Sequence, residues 1–511
     1  MIKGLKLTLE FSFKYLANNE IFEYLLRFYA RNYVFDLQKE KDTYTLKISG
    51  EEEELKEFCD TLSKMSYSVF LKNFDVKASQ DFTPKKSEEK TYEKYSLLTH
   101  LNANAYSQNE NLCENEWGVF CESELKFGEN FEKITKENFN HFLTKSLETL
   151  RDNQVIYLKN HKGIYEISLF SKDFKGDFLM PSRVEALRSI FVCNDTILKL
   201  LASVEKPLMS LKISAVFRQN HHLIFNEFKV KLADDIFLYA LGLKLFDEDY
   251  QFLSFKKVQK LSEEFELLNY EEQVVVLRGF DFIDKKARDL IFTKQDKNMA
   301  RLSYLASLEG ENTLILELSE DYEDILLLNK ELNLLKLNLP KHSKEIYEEI
   351  EKDEVGSRLL ANFQKEFVLL NEPLKTQNNF FSLFGILGRI LDLKPSLNEA
   401  AFELLALADS AKIPRGVKID YRLKDNKEFD YTRTLRSAMS FMLAGVEKNN
   451  IAYGAVESLG YFLRDTYDEL RDKKQVDKAL VSGSLFSHKS LLKITLKHLK
   501  NSKVSDVPLY I

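Results

Sequence analysis

The sequence predicts an α/β protein made of several mixed modules, and three observations lead there. At 511 residues the chain exceeds what one core organises, and about 150 residues per domain gives roughly three domains. Segments that alternate apolar and polar residues are interleaved with segments whose apolar residues recur at helical spacing. Hydrophobic residues make up 44 % and charged residues 30 %, with only 17 Gly and 8 Pro, which is a folded composition rather than a disordered or collagen-like one.

Residues 1–78 read as a small α/β unit. Leu5, Leu7, Leu9 and Phe11 alternate like a half-buried strand, and Phe22, Leu25, Leu26 and Tyr29 place a helix over Glu20–Arg31. Tyr44, Leu46 and Ile48 alternate again before Gly50. Glu51–Met65 is amphipathic through Leu55, Phe58, Cys59 and Leu62, and Ser66–Val76 closes the unit as a strand. The acidic run Glu51–Glu54 suits a helix start, where carboxylates meet the positive end of the dipole.

From 79 to 135 the text turns polar and loses periodicity, the pattern of a linker or irregular insertion. Residues 136–285 form a second mixed unit. It has a helix over Asn138–Arg151, strands over Gln154–Leu158 and Gly163–Leu169, a helix near Thr196–Val204 and a strand from Pro207 to Phe217. Residues 286–511 begin with a strand, Asn312–Leu318. Helices follow over Tyr322–Leu335, Phe380–Leu391, Leu397–Ala411 and Ile451–Arg471, then a strand and glycine turn, Ala479–Ser484, and a last helix, Lys489–Lys500. No internal repeat is visible.

Charge and motifs narrow the chemistry. Lys and Arg number 73 against 80 Asp and Glu, a net charge of −7, which disfavours a general nucleic-acid binder. The amino terminus lacks the pattern of a signal peptide, and the uncharged run Thr376–Gly388 is too short for a bilayer span, so no membrane insertion is expected. Cys59, Cys113, Cys121 and Cys193 form no C-x-x-C pair, which fits a reducing compartment, with the cytoplasm as default. No P-loop, dinucleotide, H-E-x-x-H or G-x-S-x-G motif occurs. Adjacent His221 and His222 read as a turn or surface pair, since neighbours on a strand point to opposite faces and such a pair rarely chelates one ion. Cys113 and Cys121 lack two further zinc ligands, and Trp117 and Phe120 between them read as a packing patch. Catalytic and metal-ligating residues are therefore not assigned. The strongest local signal is the small-residue turn Ser482-Gly483-Ser484 between a strand and a helix start, where backbone N–H groups can cradle a phosphate. The same turn also serves as a plain connector.

In order, these pieces resemble the HypF family, carbamoyltransferases that begin cyanide-ligand synthesis for [NiFe]-hydrogenase maturation. Leu480-Val481-Ser482-Gly483-Ser484-Leu485-Phe486-Ser487-His488-Lys489 is similar to the family's L-S-G-G-V-F-Q-N-R turn. Leu383-Phe384 through Leu391-Asp392-Leu393, then Ala400-Ala401-Phe402-Glu403-Leu404, resemble its G-R-L-F-D-A-V…E-A-A-I-E-L pattern. Leu200-Leu201-Ala202-Ser203 and Pro207-Leu208-Met209-Ser210-Leu211 resemble L-L-x-S-x-x-x-P-I-V-L-L. The resemblance implies an acylphosphatase-like, ferredoxin-type domain over 1–78 and a degenerate zinc-finger region over 79–135. It further implies a YrdC-like domain over 136–285 and a TsaD-like carbamoyltransferase domain over 286–511, cut short at Val507–Ile511 before the family's D-G-G stretch.

The departures from that pattern are systematic. The family's phosphate-binding Arg falls on Glu23, where a carboxylate repels an acyl phosphate, and its partner Asn falls near Gln38 or Lys39. Of eight zinc-finger cysteines only Cys113 and Cys121 have counterparts. The nucleotide-binding basic cluster shrinks to Arg183 and Arg188, with no T-S-G-N segment. The H-D-L-H and H-H-H-A-H metal runs are missing, the F-H-x-T-L-A histidine lands on Val456 and the G-R-L-F-D aspartate on Gly385. Cations and phosphates need several ligands at once, so these losses imply a transferase fold without its chemistry, a reduced hydrogenase accessory protein. The partners so implied are a hydrogenase large subunit or maturation proteins, with no cofactor. Two alternatives remain open. One is an active carbamoyl- or nucleotide-transferring enzyme that uses the Ser482–Ser484 turn with other ligands, with ATP as its cofactor. The other is a tRNA-modification relative, which the acidic balance opposes.

Overall fold

The computed structural model describes residues 6–79, 82, 90–171, 176–223, 226–270, 273–279, 293, 296–308, 312–328 and 332–504. The segment Val507–Ile511 lies outside them. The chain divides into two compact units, 1–274 with 278–285, and 275–277 with 286–511.

The first unit opens with β1 (Leu7–Tyr15), α1 (Ile21–Ala30), β2 (Val34–Glu40), β3 (Thr43–Gly50), α2 (Glu52–Ser63) and β4 (Leu71–Ala78). This βαββαβ path makes a four-stranded antiparallel sheet of order β2-β3-β1-β4, the ferredoxin-like arrangement. Period-two alternation turns Phe11, Phe13 and Tyr15 inward against Phe22, Leu25 and Leu26 of α1 and Leu55 and Phe58 of α2. On the outer face Glu10 lies opposite both Lys47 and Lys77 and pairs with each, at 3.2 and 3.0 Å. Strand β2 was not visible as an element in the sequence, because all of its residues are partly or wholly exposed. The acidic run acts as expected: Glu51 and Glu54 form a capping box, with the Glu51 N–H donating to Glu54 Oε2 at 2.9 Å.

After it come α3 (His100–Asn109), β5 (Glu124–Phe127), β6 (Asn130–Lys133), α4 (Phe139–Arg151), β7 (Ile156–Asn160), β8 (Gly163–Leu169), β9 (Phe178–Pro181), α5 (Leu187–Ile190), α6 (Asp195–Leu201), β10 (Leu208–Lys212), α7 (Ala215–Asn220), β11 (Glu227–Val230), α8 (Ile236–Phe246), β12 (Phe252–Lys260), β13 (Glu266–Tyr270) and β14 (Gln273–Arg278). While β14 is divided, with 275–277 belonging to the second unit, the strands β5 to β13 within the first unit form a mixed sheet in the order β13-β10-β11-β9-β12-β8-β7-β5-β6. Helix α8 is apolar almost all round and sits in its core, capped by Asp235, which accepts the Leu238 N–H at 2.8 Å. The polar 79–135 stretch contributes α3 and the β5–β6 hairpin. Its Trp117 is buried and stacks on Tyr24 of α1 at 5.2 Å, so the patch around Trp117 is packing. The strand expected from Pro207 to Phe217 stops at Lys212, because Ser214 caps α7 by accepting the Phe217 N–H at 3.2 Å.

The second unit holds α9 (Lys297–Leu308), β15 (Thr313–Glu317), β16 (Ile325–Leu328), β17 (Leu332–Asn333), α10 (Ser343–Ile350), α11 (Glu354–Glu366), α12 (Phe380–Ile390), α13 (Leu397–Ser410), α14 (Tyr431–Leu443), α15 (Lys448–Asp472), β18 (Lys478–Ser482), α16 (Lys489–His498) and β19 (Ser502–Val504). Its sheet runs β17-β16-β15-β18-β19, with β15, β18 and β19 mutually parallel. A helix over Tyr322–Leu335 is not formed. The four residues Ile325–Leu328 are all buried, as in a strand covered on both faces, and such an apolar run has no period to tell strand from helix. Helices α12 and α13 pack at close range: a Cβ at Gly385 would lie 2.6 Å from the Leu397 carbonyl oxygen, and one at Gly388 2.4 Å from that of Ala400. Among the described residues no helix is long and apolar enough to cross a membrane.

Candidate functional site

The turn Ser482-Gly483-Ser484 lies at the carboxyl ends of the parallel strands β15 and β18, the edge where open α/β sheets take ligands. Strand β18 ends at Ser482, the chain reverses through Gly483 at φ 109°, and a 3₁₀ turn over Ser484–Ser487 leads into α16. Only glycine fits there, since a Cβ would lie 2.0 Å from the Leu318 carbonyl oxygen. That closeness comes from direct pairing: the Leu318 N–H donates to Ser482 O at 3.0 Å and the Leu485 N–H to Leu318 O at 3.1 Å.

Both hydroxyls of the turn are occupied by the protein itself. Ser482 Oγ donates to the Glu317 carboxylate, and Ser484 Oγ accepts the Glu320 N–H at 2.9 Å. Glu317 is fully buried and held by Arg301, also fully buried, at 3.3 Å. Burial pushes the Glu317 carboxyl up, against the pull of Arg301 and Ser482. Asp324 accepts the N–H groups of Ser319 and Phe380 at 2.7 and 2.6 Å, yet burial still pushes it up to about 8. His488 Nε2 contacts Glu320 at 3.2 Å and Nδ1 lies 3.7 Å from Asp409. Burial alone lowers the imidazole's pKa, but Asp409 and Glu320 outweigh it and push it up to about 9. Two cations, Arg301 and His488, are thus committed to carboxylates around the turn. A phosphate arriving here meets the carboxyl groups of Glu317 and Glu320 beside the turn.

Arg183 and Arg188 belong to the first unit, so the candidate anion-binding residues fall in two separate units. Arg188 is exposed and pairs with Asp195 at 2.5 Å. Arg183 follows β9, lies over the Phe246 ring at 4.9 Å and edges a cavity of about 440 Å³.

Glu23 lies in the first turn of α1 and its side chain is only 15 % exposed. It accepts from Tyr92 Oη at 2.8 Å, Lys90 Nζ at 3.1 Å and Arg27 Nε at 3.3 Å. Burial raises its pKa, and those three donors more than reverse this, holding it below the usual glutamate range. Glu23 is therefore an internal carboxylate with its own cations. Sequence reading missed Lys90 and Tyr92 because they come from the aperiodic stretch beyond β4. Gln38 lies on β2 and donates to Asp36 at 2.6 Å. Val456 is fully buried in α15, and Gly385 has no room for a carboxylate.

The metal ions implied by the resemblance do not fit these residues. Among the described residues no group of three or more His, Cys, Asp or Glu is arranged to hold an ion, and Cys121 is buried in the core around α8.

No family model matches the chain. It is 25 % identical over 502 residues, 90 % of each chain, to the Protein HydE of Wolinella succinogenes. Two solved structures share its fold. One is full-length HypF in a phosphate- and nucleotide-bound form, at TM-score 0.54 and 10 % identity; the other is T. kodakarensis HypF, at TM-score 0.59 and 12 % identity. In each case 99 % of this chain and 96 % of the other are covered. With both units matched from end to end, the chain is HypF-like and has the α/β, multidomain fold of full-length HypF.

Proposed function

We propose that this protein is an accessory factor of [NiFe]-hydrogenase maturation or assembly that uses a HypF-type scaffold to bind a hydrogenase large subunit or a maturation protein, and that it does not transfer carbamoyl groups. The observation that supports this most is the closure of the turn at Ser482–Ser484. Its hydroxyls are bonded to Glu317 and to the Glu320 backbone, and carboxylates surround it where a phosphate site needs donors. Filling of the Glu23 position by Lys90 and Tyr92 points the same way. The acylphosphatase-, YrdC- and TsaD-like identities of the modules are part of the proposal, as is a site of action in the cytoplasm.

The test uses full-length tagged protein purified from cells expressing the hydrogenase. Co-purification of the large subunit or a maturation protein, together with loss of hydrogenase activity and large-subunit processing on gene deletion, is expected. Unchanged activity and processing in the deletion strain would overturn the reading. Calorimetry with ATP and with carbamoyl phosphate addresses the absent transfer step: no heat is expected, and binding lost in Ser484→Ala would restore an enzymatic role for the turn.

A further inference from the structure

We propose that the free edge of β4 in the first unit pairs antiparallel with β4 of a second copy of this chain, joining two ferredoxin-like sheets across a two-fold axis at Val76. Strand β4 ends the sheet order β2-β3-β1-β4, so among the described residues one of its edges has no strand beside it. Every residue from Lys72 to Ala78 is exposed. Phe74 is 61 % exposed and Val76 39 %, although both stand on the helix-covered side of the sheet, opposite the buried Phe13 and Phe11. Phe74 stacks on Phe13 at 5.9 Å, which holds the ring in place beside the open edge. Exposed edges normally carry a proline, an inward-pointing charge or a bulge as protection. The bulge here lies at the Leu71–Asn73 end of β4, and the stretch Phe74–Ala78 has none of the three.

Backbone and side chains set the same register. The Ser79 N–H donates to the Thr8 carbonyl at 2.9 Å, in line with the Lys77–Glu10 pairing, so Lys77 and Asp75 turn their main-chain groups toward β1. Phe74, Val76 and Ala78 therefore turn theirs to the free edge. With Val76 opposite Val76 of the copy, these three residues exchange about six main-chain hydrogen bonds across the axis. The side chains are complementary on both faces in that register. On the outer face Asp75 meets Lys77 of the copy and Lys77 meets its Asp75, two ion pairs related by the axis. Lys77 already pairs with Glu10 at 3.0 Å, but its side chain is 63 % exposed and keeps N–H groups for a second carboxylate. On the inner face the Phe74 ring lies over the small Ala78 of the copy, and the reverse contact repeats it. Centring on Asp75 instead sets two carboxylates face to face. Large opposite small and acid opposite base, both about Val76, make this edge its own complement, as a two-fold contact requires. One strand pair buries little area, so the dimer is weak, with a dissociation constant on the order of 100 μM. This contact is independent of the accessory role.

The test is sedimentation equilibrium of the full-length protein from about 3 to 300 μM, at low and at high salt. A monomer–dimer equilibrium is expected, weaker at high salt because exposed ion pairs contribute to it. Asp75→Lys sets like charges opposite one another and should weaken the dimer about tenfold. Asp75→Lys combined with Lys77→Asp exchanges the charges and keeps them complementary, so dimerisation should return. Should the charge variants fold poorly, Val76→Pro removes an N–H that faces the free edge rather than β1, and it should also weaken the dimer about tenfold. A monomer throughout, a dimer untouched by Asp75→Lys and by Val76→Pro, or a dimer that a folded double variant does not restore, would overturn the proposal. So would a monomeric chain whose β4 edge instead takes an extended segment of another protein.

Discussion

Gly483 shows how one residue's backbone decides a site. At φ 109° and with the Leu318 carbonyl against it, Gly483→Ala should cost about 2 kcal/mol or more, read from urea unfolding of the full chain. His488 gives a prediction in pH. Its folded pKa is raised from 6.5 to about 9, so the stabilisation is complete below 6.5 and is lost as pH rises through 9. The contribution is on the order of 1–3 kcal/mol. Asp324, raised to about 8, makes stability fall with rising pH in an overlapping range. The discriminating measurement is therefore the melting temperature of the wild type against His488→Gln from pH 6 to 9.5. The variant should show a shallower decline, and an identical slope would remove His488 from the account. Both residues stood in the one motif the sequence singled out. The turn's partners Glu317, Glu320 and Asp409 did not, because they approach from 79 or more positions away along the chain (Asp409 to His488 for the nearest pair).

At the scale of elements, the fold depends on a few buried attachments between helices and the sheets. Arg301 on α9 is fully buried against Glu317 at the end of β15 and also donates to the Glu323 carbonyl at 2.9 Å. Arg301→Met leaves the Glu317 carboxylate buried without its cation, and a loss of about 3–5 kcal/mol is expected in chemical denaturation. Arg301→Met with Glu317→Leu should be less destabilised than the single substitution. The α12–α13 pair is set by glycine instead. Gly388→Ala places a methyl group against Ala400, and about 1–3 kcal/mol of destabilisation should appear in the same assay. Helices with a clear apolar period, such as α1, α4, α12 and α13, were legible in the sequence. Elements without one were not: exposed β2, the β16–β17 pair, and α3 in the polar stretch, which is held by its Thr99–Asn102 capping box.

For the whole molecule, the sequence supported an α/β, multidomain, HypF-like chain because fold is carried by many framework residues, each contributing a little burial. Alternation in β1 and β3, amphipathic spacing in α2 and the small residues of α12 and α13 are local signals that survive one at a time. The prediction at this scale concerns phosphate chemistry: full-length protein should show no acylphosphatase turnover of a generic acyl phosphate, and Glu23→Arg alone should not create it, because Lys90, Arg27 and Tyr92 already surround that position. Turnover by the wild type would contradict the assignment.

What the sequence by itself determined was the α/β class and the multidomain, HypF-like character of the chain, since both are read from many framework residues. Only the tertiary structure decided what surrounds the singled-out residues: Lys90 and Tyr92 on Glu23, and carboxylates around Ser482–Ser484. The reason is physical. Electrostatic surroundings and hydrogen bonds depend on distances between residues far apart in the chain, and no local period encodes them.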